Sequence, residues 1–282
     1  MVRHESESAR WESHFRPPDS RLREYVQGEY QGWVESSAQP TRRRELPTPI
    51  IPLILNLGPP FEVAMSTDPT MPAQEHSSFV AGLSDAYATA VSCGSARCIQ
   101  VNLTPIGAHL VLGVAMHELA HRSVELADLL GAVANELVAR LHDARSWSEC
   151  FVLLDDFLLR RLAAARALPD DVLRAWRLLS GSAGRMRIGA LAAEIGRSER
   201  HLVERFRNHV GLPPKTVARI LRFDRAANIL VRSRGDLRLA ALAHECGYHD
   251  QAHFNREFLA LSGETPGELL LRRLADGGVA GD

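Results

Sequence analysis

The chain has little that would brace it covalently or hold it in a membrane. Its 282 residues include four cysteines, too few for a disulfide framework at this size. Cys93 and Cys98 flank a Gly-containing turn, but unpaired thiols are the expectation. No run of about 18 uninterrupted apolar residues occurs, so no membrane-spanning helix is expected. The polar start (Arg3, His4, Glu5, Glu7, Arg10) lacks the apolar core of a signal peptide, and a cytoplasmic location follows as an expectation. Lysine is nearly missing: Lys215 is the exception among 33 basic residues, so positive charge is carried by arginine.

A large net charge is missing too, but the formal value of −1 conceals an asymmetry. Residues 185–275 hold 16 basic and 10 acidic residues, whereas residues 1–184 hold 17 and 22. A basic end on a nearly neutral protein points to a polyanion partner for that end alone. The length predicts two domains, and the 45% hydrophobic content is enough for two ordinary cores.

Residues 1–46 are polar and proline-containing, and Arg42-Arg43-Arg44 reads as a solvated turn before a strand. Short apolar, β-branched runs then follow at Ile50–Leu57, Phe61–Met65, Ser78–Leu83, Tyr87–Ser92 and Cys98–Leu103. Turn clusters such as Gly58-Pro59-Pro60 and Thr67-Asp68-Pro69 separate them. The pattern predicts an antiparallel barrel or sandwich. After Pro105 the period becomes helical, with amphipathic helices over Ala132–His142, Ser148–Ala167 and Asp170–Leu179 and a hinge at Ser180–Gly184. From Met186 the helices predicted are Ile188–Ile195, Glu199–His209, Pro213–Ser233, Leu239–Cys246, Gln251–Leu261 and Pro266–Leu274.

The last hundred residues repeat themselves. Leu191-Ala192-Ala193-Glu194-Ile195-Gly196 is answered by Leu242-Ala243-His244-Glu245-Cys246-Gly247. Phe206, Gly211 and Pro214 are answered 52 residues later by Phe258, Gly263 and Pro266. A short helix, a Gly-containing turn and a capped second helix, written twice, describe two helix-turn-helix units whose second helices are built for a DNA major groove. Leu191, Ile195, Leu202 and Phe206, and Leu242, Cys246, Phe254 and Phe258, face the bundle. Ser198 and Asp250 are N-caps. The early positions left pointing outward supply the base-facing candidates: Arg200, Val203 and Glu204 in the first unit, and Gln251, His253, Asn255 and Arg256 in the second. Arg can grip guanine, Gln and Asn adenine, and Glu can accept from cytosine. Arg207, Lys215 and Arg222 are phosphate candidates, with Ser198 and Asp250 as caps. The competing reading is a plain solvated helix face.

Two resemblances rest on these residues. The run Gly247-Tyr248-His249-Asp250-Gln251-Ala252-His253-Phe254-Asn255-Arg256-Glu257-Phe258, with Ser262-Gly263-Glu264-Thr265-Pro266, resembles the signature of the AraC/XylS family of bacterial transcription regulators. So do His201-Leu202, Phe206, Gly211-Leu212-Pro213-Pro214-Lys215 and the connecting Arg219, Arg222, Ala226 and Leu230. The resemblance implies that both recognition helices lie in successive major-groove segments of one DNA face. Pro52–Gly58, Phe79–Gly82, Val101–Ala108 and Val124–Gly131 resemble the cupin-like sensory barrels that precede this domain in many members. The implied division is a sensory domain over 1–131, a helical linker and dimerisation segment over 132–180, a DNA-binding domain over 181–275 and a disordered tail over 276–282. The fold class expected is α+β multidomain, with an N-terminal antiparallel β-barrel and an all-α C-terminal domain. The implied partners are double-stranded operator DNA, a small-molecule effector, RNA polymerase and a second copy of the chain, with no cofactor and no catalytic residue.

One motif argues for a different class. His117-Glu118-Leu119-Ala120-His121 is a formal HExxH, which on a helix would present two imidazoles to zinc with the Glu as general base. A zinc-dependent hydrolase is therefore the alternative. The following Arg122-Ser123-Val124-Glu125 lacks the Gly and His of the extended motif, which makes His117 and His121 weak metal candidates. Trp11, Tyr25, Tyr30 and Trp33 read as core or lid, with pocket lining the second option.

Overall fold

A computed structural model describes residues 2–5, 9–65, 72–233 and 237–275; the Thr67-Asp68-Pro69 turn signal and the tail 276–282 lie outside them. The described residues contain eleven strands: β1 (Val2–Glu5), β2 (Ala9–Arg16), β3 (Tyr30–Ser37), β4 (Thr41–Glu45), β5 (Ile51–Asn56), β6 (Phe61–Met65), β7 (Gln74–His76), β8 (Phe79–Ala81), β9 (Ala88–Ser92), β10 (Ser95–Leu103) and β11 (Ser123–Glu125). They form two antiparallel sheets, ordered β1-β2-β3-β10-β5-β8-β11 and β4-β9-β6-β7. The fold is α+β as expected, but the strands do not close into a barrel. Among the described residues no ladder joins one sheet to the other, so the arrangement is an open pair of sheets.

The larger sheet is a middle layer, and strand parity decides what each face meets. Ile99, Val101 and Leu103 of β10 pair with Leu55, Leu53 and Ile51 of β5 and are buried in the main core with the helices. The alternate residues Cys98 and Gln100 pair with Asn56 and Ile54 and face the smaller sheet. Residues 1–46 supply four strands that their polar character concealed, and Arg42–Arg44 is part of β4 rather than a turn. That strand sits at the edge of its sheet, where charged side chains have room and discourage further pairing.

On the other face lie α1 (Pro105–Leu112), α2 (Leu126–Leu130), α3 (Ala132–Asp143), α4 (Trp147–Ala164) and α5 (Asp170–Gly181). The α4 helix is fixed to the sheet by Asp155, buried at 8% exposure. Its carboxylate accepts from Tyr30 Oη at 2.9 Å, Arg16 at 2.6 Å and the Asp19 amide at 3.0 Å. A buried charge satisfied on this scale is tolerable; removing one partner would not be. Trp147 at the start of α4 lies so close over β3 that a Cβ on Gly32 would stand 2.4 Å from its ring.

The chain ends in α6 (Ile188–Ile195), α7 (Glu199–His209), α8 (Pro214–Arg232), α9 (Leu239–Glu245), α10 (Gln251–Ser262) and α11 (Pro266–Ala275). The α8 helix starts on Pro214, where a missing N–H costs least, and its two halves serve different cores. Val217, Ala218, Ile220 and Leu221 belong to the core shared with the sheets, whereas Phe223, Ala226, Ala227 and Leu230 belong to a separate one.

Candidate nucleic-acid interface and cavity

Both units have the local geometry of a helix-turn-helix. In the first, Gly196 ends α6 in the left-handed conformation (φ 71°), and Ser198 Oγ accepts from the His201 amide at 3.2 Å to start α7. In the second, Gly247 turns the chain at φ 83°, and Asp250 accepts from the His253 amide at 2.7 Å to start α10. The Asp250 carboxyl is held below the usual range by that amide and by His249.

The candidate side chains are not equally free. Arg200, Glu204 and Arg207 on α7, Gln251 and Arg256 on α10, and Lys215 on α8 are exposed, whereas Val203, His253 and Asn255 are half-buried. His253 faces inward: its ring meets Tyr248 edge-on at 5.5 Å, and Nδ1 accepts from the His249 amide at 3.3 Å. Arg222 is spent on internal contacts. It donates to the Gly184 carbonyl at 3.0 Å and to Glu257 at 3.4 Å, with Tyr248 under its guanidinium.

Each unit also touches the N-terminal part of the chain. Unit one does so through a histidine pair, His209 Nδ1 and His109 Nε2 at 3.1 Å. His109 Nδ1 donates to the Val114 carbonyl at 2.8 Å, so its Nε2 must accept, and His209 donates from Nδ1. Asn208 can then donate to His209 Nε2 at 3.3 Å. The network is satisfied with both rings neutral. Burial, helped by the nearby His109 and Arg205, pulls the His209 pKa down to about 4, and burial lowers that of His109 as well.

Unit two meets the sheets along a narrower seam. Arg219 donates to Asp85 at 3.2 Å and to Glu257 at 2.9 Å. Arg44 lies over the Tyr87 ring at 4.9 Å and reaches the Ser262 carbonyl at 3.5 Å. Tyr87 presses on Gly263, where a Cβ would stand 2.5 Å from the ring; φ there is 76°. Leu46 packs against the core of unit two.

The same segments form the wall of a cavity of about 440 Å³ between the two sheets. Trp11, Trp33, Phe61 and Phe79 line it, as do Leu46, Ser84 and Ala86 on the seam side and Arg43 and Glu45 on β4. Of the four N-terminal aromatics, Tyr30 is core, Tyr25 packs on it, and the two tryptophans line the cavity. Neither the cavity nor the seam has a signal in the sequence beyond those tryptophans, because both are built from long-range pairings.

The HExxH segment does not form the helix its chemistry needs. His117 lies in a single 3-10 turn, Met116–Glu118, and His121 has φ 61°, so the two imidazoles are not one helical turn apart on one face. His117 is exposed and His121 contacts Ser84 at 3.4 Å. Among the described residues no group of three or more His, Cys, Asp or Glu side chains is placed to hold a metal. The hydrolase alternative is withdrawn. The cysteines are free: Cys93 is exposed and Cys98 buried in β10.

Comparison with known proteins agrees with this geometry. A family model described as a helix-turn-helix domain matches residues 191–272, and one described as a domain of unknown function, DUF6597, matches residues 14–125. The first of these matches covers both capped units. No curated protein matches. Among solved structures, unsaturated fatty acid bound ToxT from Vibrio cholerae is 12% identical, with 96% of this chain and 97% of that one covered and a TM-score of 0.47. An AraC-type DNA-binding domain-containing regulator from Chromobacterium violaceum is 22% identical over 36% of this chain and 91% of that one, TM-score 0.33. The C-terminal domain of AraT, a response regulator from Geobacillus stearothermophilus, is 21% identical over 38% and 89%, TM-score 0.35.

Proposed function

We propose that the chain is a sequence-specific DNA-binding transcription regulator whose N-terminal sheets hold a small-molecule effector. The observation that carries the reading is the duplicated capped helix, α7 and α10, mounted on one strut, α8, with Arg200, Glu204, Gln251 and Arg256 exposed. Exposed Arg207 and Lys215 supply phosphate contacts, which fix register, while the base-facing set reads sequence. In this reading the protein is a regulator and no enzyme, works in the cytoplasm, and meets RNA polymerase at its promoter. The division into 1–131, 132–180 and 181–275 is part of the proposal, with the middle segment pairing two copies.

The effector acts on the seam. Leu46 and the segment around Asp85 and Tyr87 have one side on the cavity and the other on unit two. An occupant that fits only one position of this wall shifts how α10 is presented, since a ligand moves an equilibrium only by differential affinity for its states. A genome-wide footprint of the full chain tests the reading: discrete sites lost on deleting residues 185–282 support it. Footprints unchanged by that deletion, or no discrete sites at all, would overturn it.

A further inference from the structure

The cavity has an unbalanced charge, and the imbalance points to the class of molecule it takes. Among the described residues that line it, Arg43 and Glu45 are the charged ones. Arg43 is already committed: it donates to Glu35 at 2.5 Å and lies near the Trp11 ring at 5.9 Å. Glu35 itself is 1% exposed, and Arg43 is the counter-charge on one of its carboxylate oxygens. Glu45, two residues along the same strand, has no hydrogen-bond or ion-pair partner among the described residues. Glu45 is an exposed residue that lines the cavity.

We propose that the cavity binds an organic cation, an apolar and preferably aromatic body with a positive centre, seated against Trp11 and Trp33 and paired with Glu45. Aromatic faces attract a cation through their quadrupole, more strongly where water is excluded. A carboxylate ligand meets the opposite situation. It faces Glu45, and to gain Arg43 it must strip that guanidinium from Glu35 and leave a buried carboxylate unpaired. A neutral apolar ligand leaves Glu45 desolvated without compensation. The proposal rests on the effector reading above and narrows it.

Tetraphenylphosphonium and tetraphenylborate have the same shape and opposite charge, which makes them the probes. Binding to the full chain is read by quenching of tryptophan fluorescence and checked by calorimetry. The phosphonium should bind at least about tenfold more tightly than the borate, and Glu45→Gln should weaken the phosphonium by about tenfold while sparing the borate. Ala90→Phe, which fills the cavity from β9, should remove phosphonium binding. The borate binding as well as the phosphonium, phosphonium affinity indifferent to Glu45→Gln, or no binding of either salt would each overturn the proposal. The regulator reading is scored separately, by the footprint without ligand. Discrete sites with no phosphonium binding sink the cation alone. Phosphonium binding without DNA sites keeps the cavity and sinks the regulator.

Discussion

The two helix-turn-helix units share a sequence plan and differ in what they are attached to. Unit one has no core of its own. Leu191, Leu202, Phe206 and Val210 belong to a continuous apolar cluster that runs through α8, α4 and α1 into the strands of the large sheet. Unit two has a private core of Phe223, Phe254, Phe258, Leu242 and Leu261, and among the described residues it meets the sheets through Leu46, Arg44 and the Asp85–Tyr87 segment. Duplication thus produced one unit built into the body of the protein and one hung from it. Regions that open at low cost are those with few shared buried contacts, so the second unit should open before the first.

The comparison is broken or upheld most decisively in the cores. Phe206 and Phe258 are both 0% exposed and occupy equivalent positions, so replacing either with Ala should cost about 3–5 kcal/mol. The losses should spread differently. Phe206→Ala should lower amide protection in α7 and in β5 and β10 together, while Phe258→Ala should open α9 to α11 and leave the strands protected. Hydrogen exchange distinguishes the two; equal loss in the strands would mean that unit two is not independent.

Acid should act on unit one first. A histidine whose pKa falls from about 6.5 unfolded to about 4 folded binds fewer protons in the native state across that interval. Stability is then fully present above about 6.5 and is lost as the pH falls toward 4. Protection of α7 should decline over this window as the His109–His209 hydrogen bond is lost. His209→Gln keeps a donor toward His109 and removes the titration, so it should flatten the pH dependence. An unchanged slope would place the acid sensitivity elsewhere.

DNA contacts give the third contrast. Exposed Arg256, on the helix with Gln251 beside it, should cost about 1–3 kcal/mol of specific operator affinity as Arg256→Ala if it grips a base. Arg200→Ala, on the unit whose outer face also carries Val203 and Glu204, should cost less. Gel-shift titration at one fixed salt concentration measures both, and a larger loss at Arg200 would reverse the assignment of roles.

The parts legible in the sequence were the local ones. The repeat, the caps Ser198 and Asp250 and the helices of the last hundred residues follow from periodicity and short-range hydrogen bonds, which a sequence displays directly. The strands of residues 1–46 were hidden because their residues, such as Arg42–Arg44 on an edge, are polar and their partners distant: β3 pairs with β10 and β4 with β9. The same distance concealed the cavity, whose floor and walls come from both sheets, and turned Arg222 from a phosphate candidate into an internal strut. His253 has the spacing of a groove-facing residue on α10 and is half-buried, with Tyr248 edge-on to its ring and Glu257 at 3.8 Å from Nε2.

The seam itself offers the smallest effect and the finest test of the difference between the units. Asp85 and Arg219 are each about three-tenths exposed at the side chain (29% and 27%), and a pair so placed contributes less than about 1 kcal/mol. Asp85→Ala removes the contact across the seam, but Arg219 retains Glu257 at 2.9 Å, so the fold of unit two should stand. Global melting should barely move, whereas exchange should quicken in the segments around Leu46 and Tyr87. Glu257→Gln cuts the other way: it loosens Arg219 and Arg222 inside unit two and should lower protection of α10 more than that of the seam. If the two variants gave the same exchange pattern, seam and core would be one cooperative unit. The second helix-turn-helix would then be as firmly built in as the first.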